Sequence, residues 1–310
     1  MSEGRTVELE AACVLPARAM LGECPLWSEA EARLYWIDID GRKVHRFDPA
    51  TGADEELDAP GRPGSMVLTA EPGTLLVAIE ERLATLRWDT ATWQDWIQLE
   101  PEGSGNRMND GRTDPAGRYW VGSMADPSSS GRMTGMLHRV EADGHATVTR
   151  AGIGVSNALA FAPDGRTMYF ADTKRDTVWA FDFDASSGEA KNERVFLDFA
   201  GLPGRPDGAC VDEEGCYWIA CVYGSTVLRV TPSGAIDRRV ALPVPKPTMP
   251  AFGGPDRTTL FITTIGGGGS HQVDPAFPDA GGIFAVETGI RGLPEPPFAG
   301  RRPLVPPATG

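Results

Sequence analysis

The sequence has little positive charge. It contains 29 Lys and Arg residues against 43 Asp and Glu residues among 310, which gives a formal net charge of −14 at pH 7. A protein with this balance and no run of basic residues repels a phosphate backbone. We therefore expect no nucleic acid among its partners.

Long apolar runs are also missing. No stretch of 18 apolar residues occurs, and the first twenty residues lack a basic segment followed by an apolar one. Neither a membrane span nor a secretory signal is therefore expected. We expect a cytoplasmic protein that has no membrane partner and is a monomer or a weak dimer.

Cysteines are few, and helical periodicity is absent. The five cysteines form an odd number, and their spacing fits neither a zinc knuckle nor a disulfide framework, so free thiols are expected. No segment shows an apolar period of 3.6 residues over the length of a helix. A doubly wound α/β fold is therefore a poor fit.

Six short apolar and aromatic runs are present instead, several of them after a turn rich in Pro, Asp and Gly. They read RLYWID, TLLVAI, RYWVGS, TMYFAD, CYWIAC and TLFITT. Equivalent points in these runs are Tyr35, Leu75, Tyr119, Tyr169, Tyr217 and Leu260. Their intervals of 40 to 50 residues are typical of four-stranded propeller blades.

The repeat predicts an all-β fold, a six-bladed β-propeller with four-stranded antiparallel blades around a central channel. Residues 1–310 are expected to form this single domain, with an extended tail over about residues 290–310. Two packed β-sandwiches are a weaker alternative, because six near-equal repeats have no reason to divide into halves. Since an open ring leaves strand edges unpaired, we expect the segments TVELEAACVL and GGIFAVETG to share the final blade.

Polar side chains recur at nearly one position of the repeat. Glu23 and Asn157 precede their strand anchors by 12 residues, and Asn109 and Asp207 precede theirs by 10. Equivalent repeat positions become neighbours around a propeller axis, so these side chains are expected to converge at one mouth of the channel. Two confined carboxylates repel each other unless a cation lies between them. Oxygen donors favour Ca²⁺, Mg²⁺ or Mn²⁺ over a thiolate zinc site.

Taken singly, these residues have ordinary explanations. A Pro-Asp-Gly segment is more often a turn than a ligand, and an isolated Glu is usually solvated. Their shared position in the repeat is what favours a site. None of the four histidines occupies that position, which disfavours both a Ser/His/Asp triad and a histidine zinc site.

Five segments of the chain resemble, in order, the SMP-30/gluconolactonase/regucalcin family of lactonases. They are LGECPLW, NRMNDGRTDPAGRYWVGSM, GVSNALAFAPDGRTMYFADT, RPDGACVDEEGCYWIA and FGGPDRTTLFITT. The resemblance implies that Glu23, Asn157 and Asp207 bind one divalent cation and that Arg107 and Asn109 contact the substrate. We expect Ca²⁺, with Zn²⁺, Mg²⁺, Mn²⁺ and Fe²⁺ as alternatives.

The resemblance also implies the reaction, which is hydrolysis of a sugar (aldono-) lactone to the sugar acid. In this scheme the cation polarises the lactone carbonyl and Asp207 is the general base. Where many relatives carry an acidic pair, this chain has Ala-Asp-Pro, and Asp126 is expected to bind substrate. The glycine-rich loop of residues 266–282, which contains His271, is expected to form a flexible rim.

Two other functions stay open on the sequence alone. One is promiscuous hydrolysis of organophosphates or aryl esters, and the other is non-catalytic calcium binding by a propeller. The identity of the natural lactone depends on loop shape and on a few hydroxyl partners, which the sequence does not specify.

Overall fold

The structure is a computed structural model that describes residues 6–267 and 273–300. The described chain begins with two short strands, β1 (Val7–Glu10) and β2 (Ala12–Leu15). Six sheets then follow one another along the chain, as the repeat predicted.

The first three sheets each consist of four consecutive antiparallel strands. Blade 1 contains β3 (Gly22–Ser28), β4 (Arg33–Asp38), β5 (Lys43–Phe47) and β6 (Asp54–Asp58). Blade 2 contains β7 (Pro63–Leu68), β8 (Thr74–Ile79), β9 (Arg82–Arg87) and β10 (Thr92–Gln98). Blade 3 contains β11 (Asn106–Thr113), β12 (Tyr119–Ala125), β13 (Gly135–Val140) and β14 (Ala146–Ile153).

The last three sheets repeat this order, and the final two also take up the N-terminal strands. Blade 4 contains β15 (Ser156–Phe161), β16 (Thr167–Asp172), β17 (Thr177–Asp184) and β18 (Glu189–Asp198). Blade 5 contains β19 (Arg205–Val211), β20 (Tyr217–Val222), β21 (Thr226–Val230) and β22 (Ile236–Ala241). Blade 6 contains β23 (Pro247–Gly253), β24 (Thr259–Thr264) and β25 (Ile283–Glu287).

The blades close into a ring. The innermost strands are β3, β7, β11, β15, β19 and β23, and each contacts the next, with β23 in contact with β3. The predicted six-bladed β-propeller is therefore confirmed. Each of the six apolar runs lies on the second strand of its blade, where its aromatic and aliphatic side chains are buried.

The ring is sealed by two N-terminal strands rather than one. Strand β2 pairs antiparallel with β25, with Cys13 opposite Phe284, so this half of the predicted seam is confirmed. Strand β1 instead pairs parallel with β22 of blade 5, with Val7 opposite Arg238. The expectation that the whole N-terminal segment joins the final blade was therefore wrong. By dividing between two sheets, the segment covers two outer edges that would otherwise be unpaired.

Buried aspartates hold the turns that introduce two of the aromatic strands. In blade 3, Asp114 accepts hydrogen bonds from the backbone N–H of Arg118 at 3.0 Å and from Trp120 Nε1 at 3.0 Å. In blade 5, Asp212 accepts from Trp218 Nε1 at 2.8 Å. A turn carboxylate thus fixes the indole of the strand that follows, which explains the recurrence of Asp, Gly and Trp in these repeats.

Residues 291–300, the C-terminal strap, contact blades 2, 3 and 5. The carbonyl of Arg291 accepts from the N–H of Glu213 at 2.9 Å, beside blade 5. Glu295 then pairs with Arg112 on β11. Phe298 N donates to the carbonyl of Leu68 at 2.7 Å, beside blade 2. The strap has no helix or strand of its own, and it ties together blades from opposite sides of the ring.

Other expectations concern helices and thiols. Within residues 6–267 and 273–300 the helical segments are two 3₁₀ turns, Ser128–Ser130 and Thr173–Arg175, and neither has the length or hydropathy of a membrane span. All five cysteines are free, as their spacing predicted. His271 lies outside the described residues.

Candidate metal and substrate site

The candidate site is built on irregularities in the innermost strands. The pairing of each inner strand with its neighbour shifts register near the start of the strand, as a β-bulge does. Glu23 and Asn157 directly precede the bulges of blades 1 and 4. Asn109 and Asp207 lie within the bulges of blades 3 and 5. The two offsets read from the sequence, 12 and 10 residues, also reflect a difference between the anchors. Tyr35 lies opposite the first residue after its bulge, whereas Tyr119 lies opposite a residue two positions further on. Bulges redirect side chains at such points.

Glu23 lies close enough to Asp207 to change the ionisation of Asp207. Burial, and then the charge of Asp110, raises the pKa of Glu23 to about 8. Burial, and then the charges of Glu23 and Asp110, raises the pKa of Asp207 well above its usual range. Asp207 is only 7% exposed. Neither carboxylate forms an ion pair with Lys or Arg among the described residues, so without a cation the raised pKa values keep these groups protonated at pH values where free carboxylates are ionised.

Asp110 is a member of this cluster that the sequence analysis did not single out. It is buried, and its Oδ2 accepts from the N–H of Leu159 on blade 4 at 3.0 Å. Its buried Oδ1 has no hydrogen-bond partner among the described residues. Asp110 follows Asn109 in one bulge, so two consecutive residues are candidates for the site. The Asn-Asp-Gly segment contains Asp110, but a search for one polar residue per blade selects only Asn109.

Three predicted site residues form a continuous hydrogen-bonded chain. Arg107 Nη1 donates to Asn109 Oδ1 at 2.8 Å. Asn109 Nδ2 donates in turn to Asn157 Oδ1 at 3.0 Å and to the carbonyl of Ser156 at 2.8 Å. Asn157 Nδ2 donates to Thr173 Oγ1 at 2.8 Å. The orientation of the Asn157 amide is thus set from both ends, with its oxygen and nitrogen held by different partners.

Asp126 lies on the blade 3 side of the mouth, one third exposed. A hydrogen bond from Arg62, at 2.6 Å between Nη2 and Oδ2, lowers the pKa of Asp126, and the charge of Arg107 acts in the same direction. Burial, and then the charge of Arg62, lowers the pKa of Arg107. Arg62 and Arg107 are therefore neighbours, and Asp126 lies within the field of both. Arg62 does not occupy the repeat position that marks the other site residues.

The donor set fits a hard divalent cation. In the part of the chain that the structure describes, no three His, Cys, Asp or Glu side chains are grouped so as to hold a metal by themselves. The expected set of Glu23, Asn157 and Asp207 contains one amide, and an amide oxygen has two lone pairs, of which Asn109 uses one. The unpaired Oδ1 of Asp110 adds negative charge beside the set. Such oxygen donors suit Ca²⁺ better than a soft metal.

The profile of the SMP-30/Gluconolactonase/LRE-like region matches residues 21–266 of this chain. The chain belongs to this family. One relative, 6-deoxy-6-sulfogluconolactonase from Pseudomonas putida, is 37% identical over 289 residues, which cover 93% of this chain and 98% of that protein. Regucalcin from Gallus gallus is 36% identical over 294 residues with the same coverage. The family predicted from the motifs is therefore confirmed.

A solved structure shares the architecture as well. The crystal structure of regucalcin from Agrobacterium tumefaciens, which is named as a calcium-binding protein, matches with a TM-score of 0.88. The two proteins are 28% identical, and the match covers 95% of this chain and 99% of that one. Family membership thus extends from sequence to fold, while the roles of the individual site residues stay predictions.

Proposed function

We propose that this protein is a lactonase that hydrolyses a sugar lactone to the corresponding sugar acid, with one divalent cation bound by Glu23, Asn157 and Asp207. The observation that carries the proposal is the meeting of Glu23 and Asp207, from blades 1 and 5, as carboxylates without an ion-pair partner among the described residues. A cation between them removes their repulsion. Membership in a family with lactonases among its relatives supports the same reading.

Calcium is the cation that we propose. All three donors are oxygens, and one of them is a neutral amide, which is a common donor for Ca²⁺. The regucalcin of known structure is named as a calcium-binding protein. A cation held by these residues supplies a Lewis acid for the lactone carbonyl.

Asp207 is proposed as the general base. It is buried and has no arginine or lysine partner in the described chain, and a bound cation would keep its carboxylate ionised and able to accept a proton. Its carboxylate accepts a proton from the attacking water while the water oxygen bonds to the lactone carbon. The same proton then passes to the ring oxygen as the C–O bond breaks, which yields the open hydroxy acid.

Arg107, Asn109 and Asp126 are proposed to bind the lactone. Arg107 offers a forked donor, and Asp126 is an acceptor for substrate hydroxyls. Asn109 gives its N–H groups to Asn157 and to the Ser156 carbonyl, so its substrate contact is through the lone pair of Oδ1 that Arg107 does not use. Its second task is to orient the Asn157 amide toward the cation.

A substrate panel tests the proposal. Protein stripped with a chelator and restored with Ca²⁺, Mg²⁺, Mn²⁺ or Zn²⁺ is assayed on five- and six-carbon aldonolactones and on paraoxon. We expect the highest kcat/KM on an aldonolactone with Ca²⁺. Hydrolysis of paraoxon but of no lactone contradicts the proposal in favour of an esterase, and calcium binding without any hydrolysis contradicts it in favour of a binding protein.

A further inference from the structure

Arg62 joins two carboxylates at the mouth of the channel. It directly precedes β7 of blade 2, and its Nη2 donates to Asp126 Oδ2 at 2.6 Å and to Glu80 Oε2 at 3.0 Å. Its Nε and its backbone N donate to Glu80 Oε1 at 3.3 and 2.9 Å. One guanidinium therefore links Glu80 of blade 2 with Asp126 of blade 3.

Glu80, Arg62 and Asp126 differ in how firmly they are held: Glu80 is fixed by several contacts, whereas Asp126 is held by one. Glu80 holds Arg62 through two side-chain bonds and one backbone bond, and a forked pair of this kind restricts the guanidinium. Glu80 is itself fixed, because its carbonyl accepts from the N–H of Met108 at 2.6 Å. Met108 lies between the two predicted substrate residues of β11. Glu80 thus fixes Arg62, and Arg62 fixes Asp126.

Asp126 is the exposed end of this series. Arg62 is the only residue to which its side chain is hydrogen-bonded or ion-paired in the described structure, and that bond uses Oδ2. The carboxylate is one third exposed and lies in the field of Arg107. An ionised carboxylate is an acceptor only, so at the rim it is suited to substrate hydroxyls. A carboxylate held in one orientation binds such hydroxyls at a lower entropic cost than a free one.

We propose that Arg62 is a positioning residue, which orients Asp126 so that the enzyme prefers lactones bearing several hydroxyl groups. The inference rests on the proposed lactonase function and deepens it. Arg62 does not act as an anion site of its own, because Glu80 and Asp126 already balance its single charge. Its effect on the substrate passes through Asp126.

A double-mutant cycle tests the proposal with two substrates. Wild type, Arg62→Gln, Asp126→Ala and the double variant are assayed with saturating Ca²⁺ on glucono-1,5-lactone and on δ-valerolactone, which has no hydroxyl groups. We expect Arg62→Gln to raise KM for the sugar lactone by roughly tenfold, in the range of coupling within one ion-pair network, and to change kcat by less than about twofold. δ-Valerolactone should be unaffected. In the Asp126→Ala background, Arg62→Gln should add nothing further.

Two controls separate positioning from damage to the fold. Arg82→Gln breaks the Arg82–Asp95 pair on the outer strands of the same blade, 2.8 Å between Nε and Oδ1, and should leave both substrates unchanged. Arg62→Lys keeps the charge without the fork and should have an intermediate KM. If Arg62→Gln folds poorly, the Arg62→Lys comparison carries the test.

The outcomes distinguish the inference from the function on which it rests. Equal losses on both lactones, or an additive effect in the Asp126→Ala background, overturn the positioning role. Wild-type hydrolysis with unchanged kinetics in Arg62→Gln overturns only the inference. Wild type that hydrolyses neither lactone overturns the proposed function and the inference with it.

Discussion

The side-chain amides of Asn109 and Asn157 are hydrogen-bonded to each other, with 3.0 Å between Nδ2 of the first and Oδ1 of the second. The bond joins blades 3 and 4 at the channel mouth and fixes the orientation of Asn157. Since Asn157 is a proposed cation ligand, Asn109 would orient a residue that binds the cation. Partners of this kind are often worth 10- to 100-fold in metal affinity.

Asn109→Ala should therefore weaken Ca²⁺ binding by roughly tenfold or more, with the fold intact. Isothermal titration of chelator-stripped protein measures the change. The matched control is Asn192→Ala, which removes an exposed amide bonded to Asp182 at 2.8 Å on the outer side of blade 4. Equal Ca²⁺ affinity in the two variants would show that Asn109 does not orient a ligand.

Asp110→Asn tests the unpaired charge of the cluster. The change keeps the shape of the side chain and an oxygen for the Leu159 N–H, but it removes a buried negative charge beside Glu23. We expect weaker Ca²⁺ binding, together with a higher Tm of the metal-free protein above about pH 8, where Glu23 is ionised and repulsion within the cluster falls. Thermal unfolding with and without Ca²⁺ reports both quantities. A lower Tm in both states would mean that Asp110 is a structural anchor and not part of the site.

Ca²⁺ affinity should rise with pH. Without metal, Glu23 has a pKa of about 8, so it is mostly protonated at pH 7 and must lose that proton to bind a cation. Below about pH 8, each bound Ca²⁺ should release up to one proton from Glu23 and a further one from Asp207, whose pKa is also raised. Affinity should rise by up to about tenfold per pH unit for each of these groups. Titrations in buffers with different ionisation enthalpies count the protons. A constant affinity from pH 6 to 9 contradicts the assignment.

The raised pKa of Glu23 also affects the stability of the folded protein. A carboxylate whose pKa is raised in the folded state stays protonated there while the unfolded chain ionises. The unfolded state therefore binds fewer protons between the ordinary value of 4.5 and about 8. The metal-free protein should lose stability across this window, and the gain in Tm from saturating Ca²⁺ should grow over it.

The C-terminal strap should stabilise the ring without affecting catalysis. The side chains of Arg112 and Glu295 are 10% and 13% exposed, and truncation of one partner of a buried ion pair costs about 3–5 kcal/mol. Glu295→Ala should lower the free energy of unfolding by about that amount and leave kcat/KM within about twofold of wild type. Glu193→Ala, which removes a more exposed pair with Arg150, should cost at most about 1 kcal/mol. Urea unfolding of both variants makes the comparison, and equal losses would contradict the role of the strap.

The sequence predicted the blades because each repeat carries its own turn and buried aromatic strand, and local signals of this kind do not depend on distant contacts. It led to the expectation that Glu23, Asn157 and Asp207 converge because ring closure turns a repeat position into spatial proximity, and the structure brings Glu23 near Asp207 and Asn109 against Asn157. Asp110 was missed because a bulge brings a second residue into the site, and periodicity does not record bulges. Arg62 was missed because its partner Asp126 lies in another blade. The division of the N-terminal segment between two sheets likewise depends on which strand edges are left open after the ring has formed.

The central claim is that a cation held in part by Asp207 is required for lactone hydrolysis. The most direct measurement is the rate of glucono-1,5-lactone hydrolysis by chelator-stripped protein as Ca²⁺ is titrated back, for wild type, Asp207→Asn and the surface control Asp95→Asn. Wild type and Asp95→Asn should rise from background to a saturating rate, while Asp207→Asn stays at background with an unchanged fold. Full activity of the stripped wild type, or full recovery of Asp207→Asn, would contradict the claim.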